Sequence, residues 1–468
     1  MSSQRSVLGV TRVGCQAPKT KQSSRKACFS GVSVVQFYPA TGDVACFQSK
    51  DDLILEGDMG SRRVLHAANR VLAILGAATL LATVAWAATT TKLIYSFGGN
   101  GDGEYTDTEL VMDSAGNLYG TSVQGGTFGG GTVFQVTPAG VHTVLYDLTG
   151  GADGGEPYKG VTLDAHGNLY GTAVTGGGGS CEGGCGVVFK LTNSGGSWSQ
   201  SVIHTFTGGS DGSGPGSPVS IDKQGNVYGT TPTGGANGVG VVYQLRPGAS
   251  GDWKLRVIHT FTGGNDGGGG SASRLLIDAA GNLYGVCTVG GANGFGTVFE
   301  MSPTQGKWQF ATLYAFKDSP DGALPYGGLI SDKAGNLYGT TYYAGVYDLG
   351  TVYKLTHTNG TWSESVLYSF KGGADGASPI SSLASDPAGN LYGTTSDGGA
   401  AACGCGVIFK MTRGTTGKWT ESVAYRFPGS PSPGFAYNGM VGDSVGNFYG
   451  ATVHGGSGND GAIYKFTP

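Results

Sequence analysis

From Lys92 to the C-terminus, apolar and polar residues alternate in short bursts, and Gly, Asp, Asn and Ser fill the gaps between them. An alternation of period two, rich in β-branched and aromatic residues and bounded by turn formers, predicts β-strands half buried on one face. One stretch shows four bursts in succession: Gly328–Asp332, Asn336–Thr341, Gly350–Thr356 and Ser365–Phe370. Each burst is bounded by turn-forming residues, so the unit reads as an up-and-down four-stranded meander.

The meander recurs. The segment Asp113-Ser-Ala-Gly-Asn-Leu-Tyr-Gly120 returns with its Asp at 164, 222, 278, 332, 386 and 443, at intervals of 51, 58, 56, 54, 54 and 57 residues. Every copy keeps Gly-Asn three residues after the Asp, then an apolar residue and Tyr-Gly, with the tyrosines at 119, 170, 228, 284, 338, 392 and 449. The Asp-x-x-Gly-Asn link predicts a tight hairpin in which Asp accepts backbone N–H groups and Gly takes positive φ. The longest regular connection runs from the fourth strand to the next copy, as in Lys371–Ile380. That length can cross three strand spacings of about 4.8 Å each, as a chain must in passing from the outer strand of one sheet to the inner strand of the next.

These features predict an all-β fold, a seven-bladed β-propeller of four-stranded antiparallel blades over residues 88–468. The chain enters on a fourth-type strand, Lys92–Phe97, and leaves on a third-type strand, Gly461–Pro468. Pairing the two completes the last blade and removes the open edges. An open solenoid, the structural alternative, would want distinct capping repeats instead.

Composition changes the picture at the front end. Residues 1–70 hold ten Lys/Arg against five Asp/Glu, whereas 18 basic residues face 27 acidic ones from residue 71 onward. The repeats thus carry a formal charge of about −9 and no basic stripe that could follow phosphates, which argues against nucleic-acid binding. Arg62, Arg63 and Arg70 precede the apolar run Val71–Val84 and then Ala85-Trp86-Ala87. That is the order of a secretory signal peptide, expected to start at Met59 and to be cut after Ala87, with an uncleaved anchor as the alternative. Residues 1–58, which include Cys15, Cys28 and Cys46, read as a mis-called or disordered extension. The mature chain is expected to be secreted, periplasmic or on the cell surface, without a membrane span, and monomeric.

Repeated residues make poor candidates for chemistry, because equivalent groups spaced round a ring cannot converge on one substrate. The motif aspartates therefore read as turn formers. So do Asp102, Asp153, Asp211, Asp266, Asp321 and Asp375 in the fourth-to-first loops, although Gly-rich acidic loops could hold calcium through backbone carbonyls. No other cofactor is expected. Trp198, Trp253, Trp308, Trp362 and Trp419 share one register at the start of the fourth strand and read as outer-strand packing. Cys181 and Cys185, and Cys403 and Cys405, occupy the same second-to-third loop in two copies and read as local disulfides of an exported protein. Cys287 reads as a lone buried thiol. The histidines share no constellation with a Ser or Cys, and no phosphate loop, catalytic triad order or paired-His metal motif is present.

The exceptions to the repeat are the better candidates. Copy five replaces the usual Gly-Gly loop with Tyr342-Tyr-Ala-Gly-Val-Tyr-Asp348, which brings Tyr342, Tyr343, Tyr347 and Asp348 to the face shared by the second-to-third and fourth-to-first loops. Tyr326 lies on that face too, and Tyr105, Tyr158 and Tyr437, with Glu104, Glu156 and Phe435, decorate equivalent loops. Aromatics with carboxylates around a shallow funnel suit a glycan or peptide ligand. The alternative is that Tyr fills gaps between neighbouring loops.

The recurring Asp-x-x-Gly-Asn-Leu-Tyr-Gly-Thr-Thr, Gly-Gly, Gly-Thr-Val-Phe-Lys-Leu-Thr and Val-Leu-Tyr-Ser-Phe resemble the Gloeobacter/Verrucomicrobia-type tandem repeat of choice-of-anchor proteins, across residues 92–468. The resemblance implies a bacterial exported or surface protein and carries over no catalytic residue. Family members often end in a C-terminal anchor. This chain ends at Pro468 directly after a strand, so release or periplasmic residence is expected. The leading expectation is an exported non-catalytic propeller that binds a glycan, peptide or cell-envelope partner through its loop face. A polysaccharide-directed lyase or hydrolase and a structural or adhesive surface module are the alternatives.

Overall fold

The computed structural model describes residues 89–468 except 100, 271–272 and 400–402. The expected extension and signal peptide lie outside the described residues. Seven four-stranded antiparallel sheets follow one another along the chain, each in the order first, second, third, fourth strand from the central channel outward. The first blade comprises Val111–Met112, Leu118–Ser122, Thr132–Val136 and His142–Asp147. In the fifth, Ile330–Ser331, Leu337–Thr341, Thr351–Thr358 and Thr361–Ser369 match the predicted bursts, with the fourth strand starting earlier than expected. The reason is the hairpin at Asn359-Gly360, whose φ values of 52° and 80° fit the tight turn that carries pairing through to Thr358 and Thr361.

The ring closes as the order of strand types predicts. Thr90–Ser96 pairs antiparallel with Ala462–Thr467, Lys92 opposite Lys465 and Ser96 opposite Ala462, and so forms the outer strand of the seventh blade. Every third-to-fourth pairing carries a register shift at one position, between Val352 and Tyr353 in the fifth blade, and this recurrent bulge adds twist to each blade.

The Tyr-Gly of the motif has a packing cause. The aromatic residue of each third strand lies fully buried across the second-strand glycine of its own blade: a Cβ on Gly339 would stand 2.4 Å from the Tyr353 hydroxyl oxygen and 2.6 Å from its Cζ. Between blades, a fully buried Phe directly after the fourth strand fills the next layer, at 97, 206, 261, 316, 370 and 427. Each such side chain contributes about 1.5–3 kcal/mol by leaving water.

Both sets of repeated aspartates are taken up by structure. In the first turn, one Asp113 oxygen accepts the backbone N–H groups of Ala115 and Asn117, while the other accepts the Asn117 amide and the Tyr119 hydroxyl. Partial burial works against ionisation of Asp113, and these hydrogen bonds outweigh it and hold the carboxyl below its usual range. The second set caps the fourth-to-first loops: Asp102 accepts the Tyr95 hydroxyl at 2.7 Å and Asp375 the Tyr368 hydroxyl at 2.8 Å. His259 stands in for Tyr at 3.1 Å from Asp266. The tryptophans pack between blades, Trp198 edge-on to Tyr119 and Trp419 edge-on to Tyr338 of the preceding blade. Cys181–Cys185 and Cys403–Cys405 are disulfides, and Cys287 is a free, buried thiol.

Candidate functional site

The first strands wall the central channel. Three residues before each motif Asp, the apolar side chain (Leu110, Val161, Val219, Leu275, Leu329, Leu383, Met440) is buried between blades. By the period of two, its neighbours on either side face the channel. Those two and four residues before the Asp, among them Val111, Leu276, Ile330 and Val441, and Glu109, Arg274 and Ser382, line a cavity of about 440 Å³. The layer four before the Asp reads Glu109, Gly160, Pro218, Arg274, Gly328, Ser382, Gly439, and only two of its members are charged.

Those two meet across the channel. Arg274 in the fourth blade places Nε and Nη2 each 3.4 Å from Oε2 of Glu109 in the first blade. The guanidinium also donates to the Val219 carbonyl at 3.0 Å, to the Val161 carbonyl at 3.2 Å and to the Thr162 hydroxyl, so it bridges four blades. Oε1 of Glu109 accepts the Ser382 hydroxyl at 2.8 Å, and Ser382 Oγ accepts the Gly328 N–H at 3.0 Å. The result is a polar strap across the loop-face end of the channel.

Above the strap sits a second ion pair. Thr108–Glu109 runs parallel to Lys159–Gly160 of the next blade, an inter-blade pairing in which the Lys159 N–H donates to the Asp107 carbonyl at 2.9 Å. Lys159 is in the left-handed region, with φ of 64°. Its Nζ lies 2.9 Å from both Asp107 oxygens and 3.2 Å from Asn438 Oδ1, and the Asn438 amide donates back to Asp107. Glu109, Lys159, Ser273, Ser382 and Asn438, with Tyr326 and Tyr437, enclose a cavity of about 150 Å³. Lys159, paired with Asp107, faces this cavity as a hydrogen-bond donor.

The structure gathers four of the tyrosines singled out from sequence around this mouth. Tyr326 and Tyr437 line it, and Tyr342 packs edge-on to Tyr326 with ring centroids 5.7 Å apart. Burial raises the phenol of Tyr437 above its usual range, helped by the charges of Asp397 and Asp107; burial with Glu156 and Asp107 does the same for Tyr158. The others stand apart. Tyr343 and Tyr347 project into solvent at 48% and 51% exposure. Asp348 takes φ of 58° in the same blade-five loop, and Tyr105 stacks edge-on against His454, which also meets Phe435. Asp107, Glu109, Lys159, Arg274 and Asn438 escaped the sequence reading, although an alignment of the copies on the motif Asp puts them four to six positions before it. Among the described residues, no group of three or more His, Cys, Asp or Glu is placed to hold a metal ion.

The fold and mouth define a closed seven-bladed propeller with a polar cluster drawn from several blades at one end of its channel. The chain belongs to the Gloeobacter/Verrucomicrobia repeat family, whose profile matches residues 79–198, 177–404 and 309–468. Among curated proteins nothing matches the sequence. Among solved structures it is similar to a candidate 6-phosphogluconolactonase from Bacteroides uniformis, at 15% identity over 67% of this chain and 83% of that one, with a TM-score of 0.46. The extracellular domain of a candidate one-component system from B. thetaiotaomicron is similar at 11% identity over 80% and 39%, with a TM-score of 0.48. An ancestral GH74 enzyme is similar at 11% identity over 77% and 47%, with a TM-score of 0.46.

Proposed function

We propose that this protein is an exported, non-catalytic, monomeric binding propeller whose ligand is a glycan held at the loop-face mouth of the channel. The observation that carries the reading is convergence: Glu109, Lys159, Tyr326, Tyr437 and Asn438 come from four blades and line one cavity, with Asp107 paired to Lys159. Aromatic walls with interleaved donors and acceptors suit a ring that has apolar faces and a belt of hydroxyls. Two disulfides and the basic–apolar–Ala-x-Ala order at 62–87 support export. No helix among the described residues is long and apolar enough to cross a membrane. A glycan microarray with the purified protein tests the reading. Saturable binding that Tyr437→Ala weakens supports it, whereas release of shortened sugar products on prolonged incubation would replace it with a polysaccharide-directed enzyme.

A further inference from the structure

The mouth is a blind pocket. Arg274 and Glu109 cross the channel beneath it, and the Gly328 N–H, Ser382 and Glu109 continue the barrier in a chain of 3.0 Å and 2.8 Å hydrogen bonds. A polymer cannot thread past that floor without breaking an ion pair that five other groups hold in place. The space above it is about 150 Å³.

Charge narrows the ligand further. The two cations are each matched by a carboxylate, Lys159 by Asp107 at 2.9 Å and Arg274 by Glu109 at 3.4 Å. An anionic group entering the pocket would meet the Glu109 carboxylate as well as Lys159, each already paired, Glu109 with Arg274 and Lys159 with Asp107, and a cationic group would meet the reverse. Either brings a charge with no free counter-ion into a partly desolvated space, at a cost. A neutral hydroxyl escapes this, because it donates to the Glu109 carboxylate and accepts from the Lys159 ammonium, leaving both pairs intact. Tyr326 and Tyr437 add two phenols that hydrogen-bond to no described residue, beside apolar ring faces.

We propose that the pocket recognises the terminal sugar of a neutral glycan, entering end-on. The proposal rests on the glycan reading above, and the test separates the two. The probes are linear maltooligosaccharides beside cyclodextrins, linear β-glucans beside cyclic β-glucans, and the same linear chains ended in a uronic acid, each titrated calorimetrically into the full chain. Neutral linear chains should bind, and their cyclic and uronate-ended counterparts should bind about tenfold or more weakly. Equal binding of cyclic forms overturns end-on recognition and leaves the glycan reading standing, whereas binding of no probe overturns both. Glu109→Gln, with Asp107→Asn as a second variant should the first fail to fold, adds one positive charge to the pocket. Either should shift preference toward uronate-ended chains; an unchanged preference overturns the charge-matching that selects a neutral sugar.

Discussion

If the ring is closed by the N-terminal strand, Phe97 should matter as much as its counterparts inside the chain. Phe97 is fully buried and follows the closing strand directly. Its ring sits 5.1 Å from Phe134 of the first blade and packs with Leu110, Leu118 and Val136 of that blade and with Ala451 and Ile463 of the seventh. Phe261 is equally buried within a continuous stretch of chain, 5.6 Å from Phe299. Truncating a buried Phe to Ala removes its transfer free energy and leaves a cavity, together about 3–5 kcal/mol. Near 60 °C the unfolding entropy is about 2.1 cal/mol/K per residue, so a domain of roughly 380 residues loses about 5 °C in Tm for 4 kcal/mol. Phe97→Ala and Phe261→Ala should therefore lower Tm by similar amounts, read by circular dichroism at a fixed scan rate. A silent Phe97→Ala beside a Phe261→Ala that drops by about 5 °C would show that the N-terminal strand is not part of the cooperative ring.

Three further perturbations follow from particular contacts. Burial pushes the Glu364 carboxyl up to about 8, with Asp321 adding to it, and Glu421 behaves alike beside Asp375. Because the folded pKa lies above the unfolded one, the stabilisation is full below about pH 4.3 and is lost as pH rises through about 8. Glu364→Gln and Glu421→Gln should then match the parent in stability at pH 3.5 and exceed it at pH 9, by roughly 1–2 kcal/mol per site after allowing for solvent screening. The hydroxyls of Tyr243, Tyr353 and Tyr464 are buried without a partner among the described residues, and four copies carry Phe there. Replacing all three by Phe should leave urea-unfolding stability unchanged or raise it by about 1 kcal/mol each, and a marked loss would reveal an unseen partner. Gly339→Ala should cost about 1–3 kcal/mol, since its methyl group meets the Tyr353 ring, and a neutral result would mean that the ring can move aside.

The fold was legible because its determinants are local and repeated. Asp-x-x-Gly-Asn specifies its turn through four hydrogen bonds within seven residues, and that is visible in any one copy. The phase of the strands at the two termini is likewise a local reading, and it foretold that Lys92–Phe97 pairs with Gly461–Pro468, though not the register that sets Lys92 opposite Lys465. What stayed hidden depends on contacts far apart in sequence. The bulge opposite each third strand, the ring lying over Gly339 and the parallel pairing of Thr108 with Lys159 arise from how neighbouring strands and blades meet, and no single burst of alternation encodes them.

The mouth shows the same division more sharply. Sequence reasoning looked for specificity where loops vary most, and so found tyrosines; it passed over the first strand because that strand obeys the repeat in its buried positions. Yet only alternate residues of that strand are fixed by packing between blades. Leu110 and Leu275 must be apolar, whereas Glu109 and Arg274, one residue earlier, face the channel and are unconstrained by the core. Closure of the ring then brings such unconstrained positions from all seven blades to one axis, so two charges 165 residues apart in the chain become an ion pair. A propeller thus concentrates its freedom to vary in the channel-facing half of its inner strands, and a single substitution per blade there is enough to build a site.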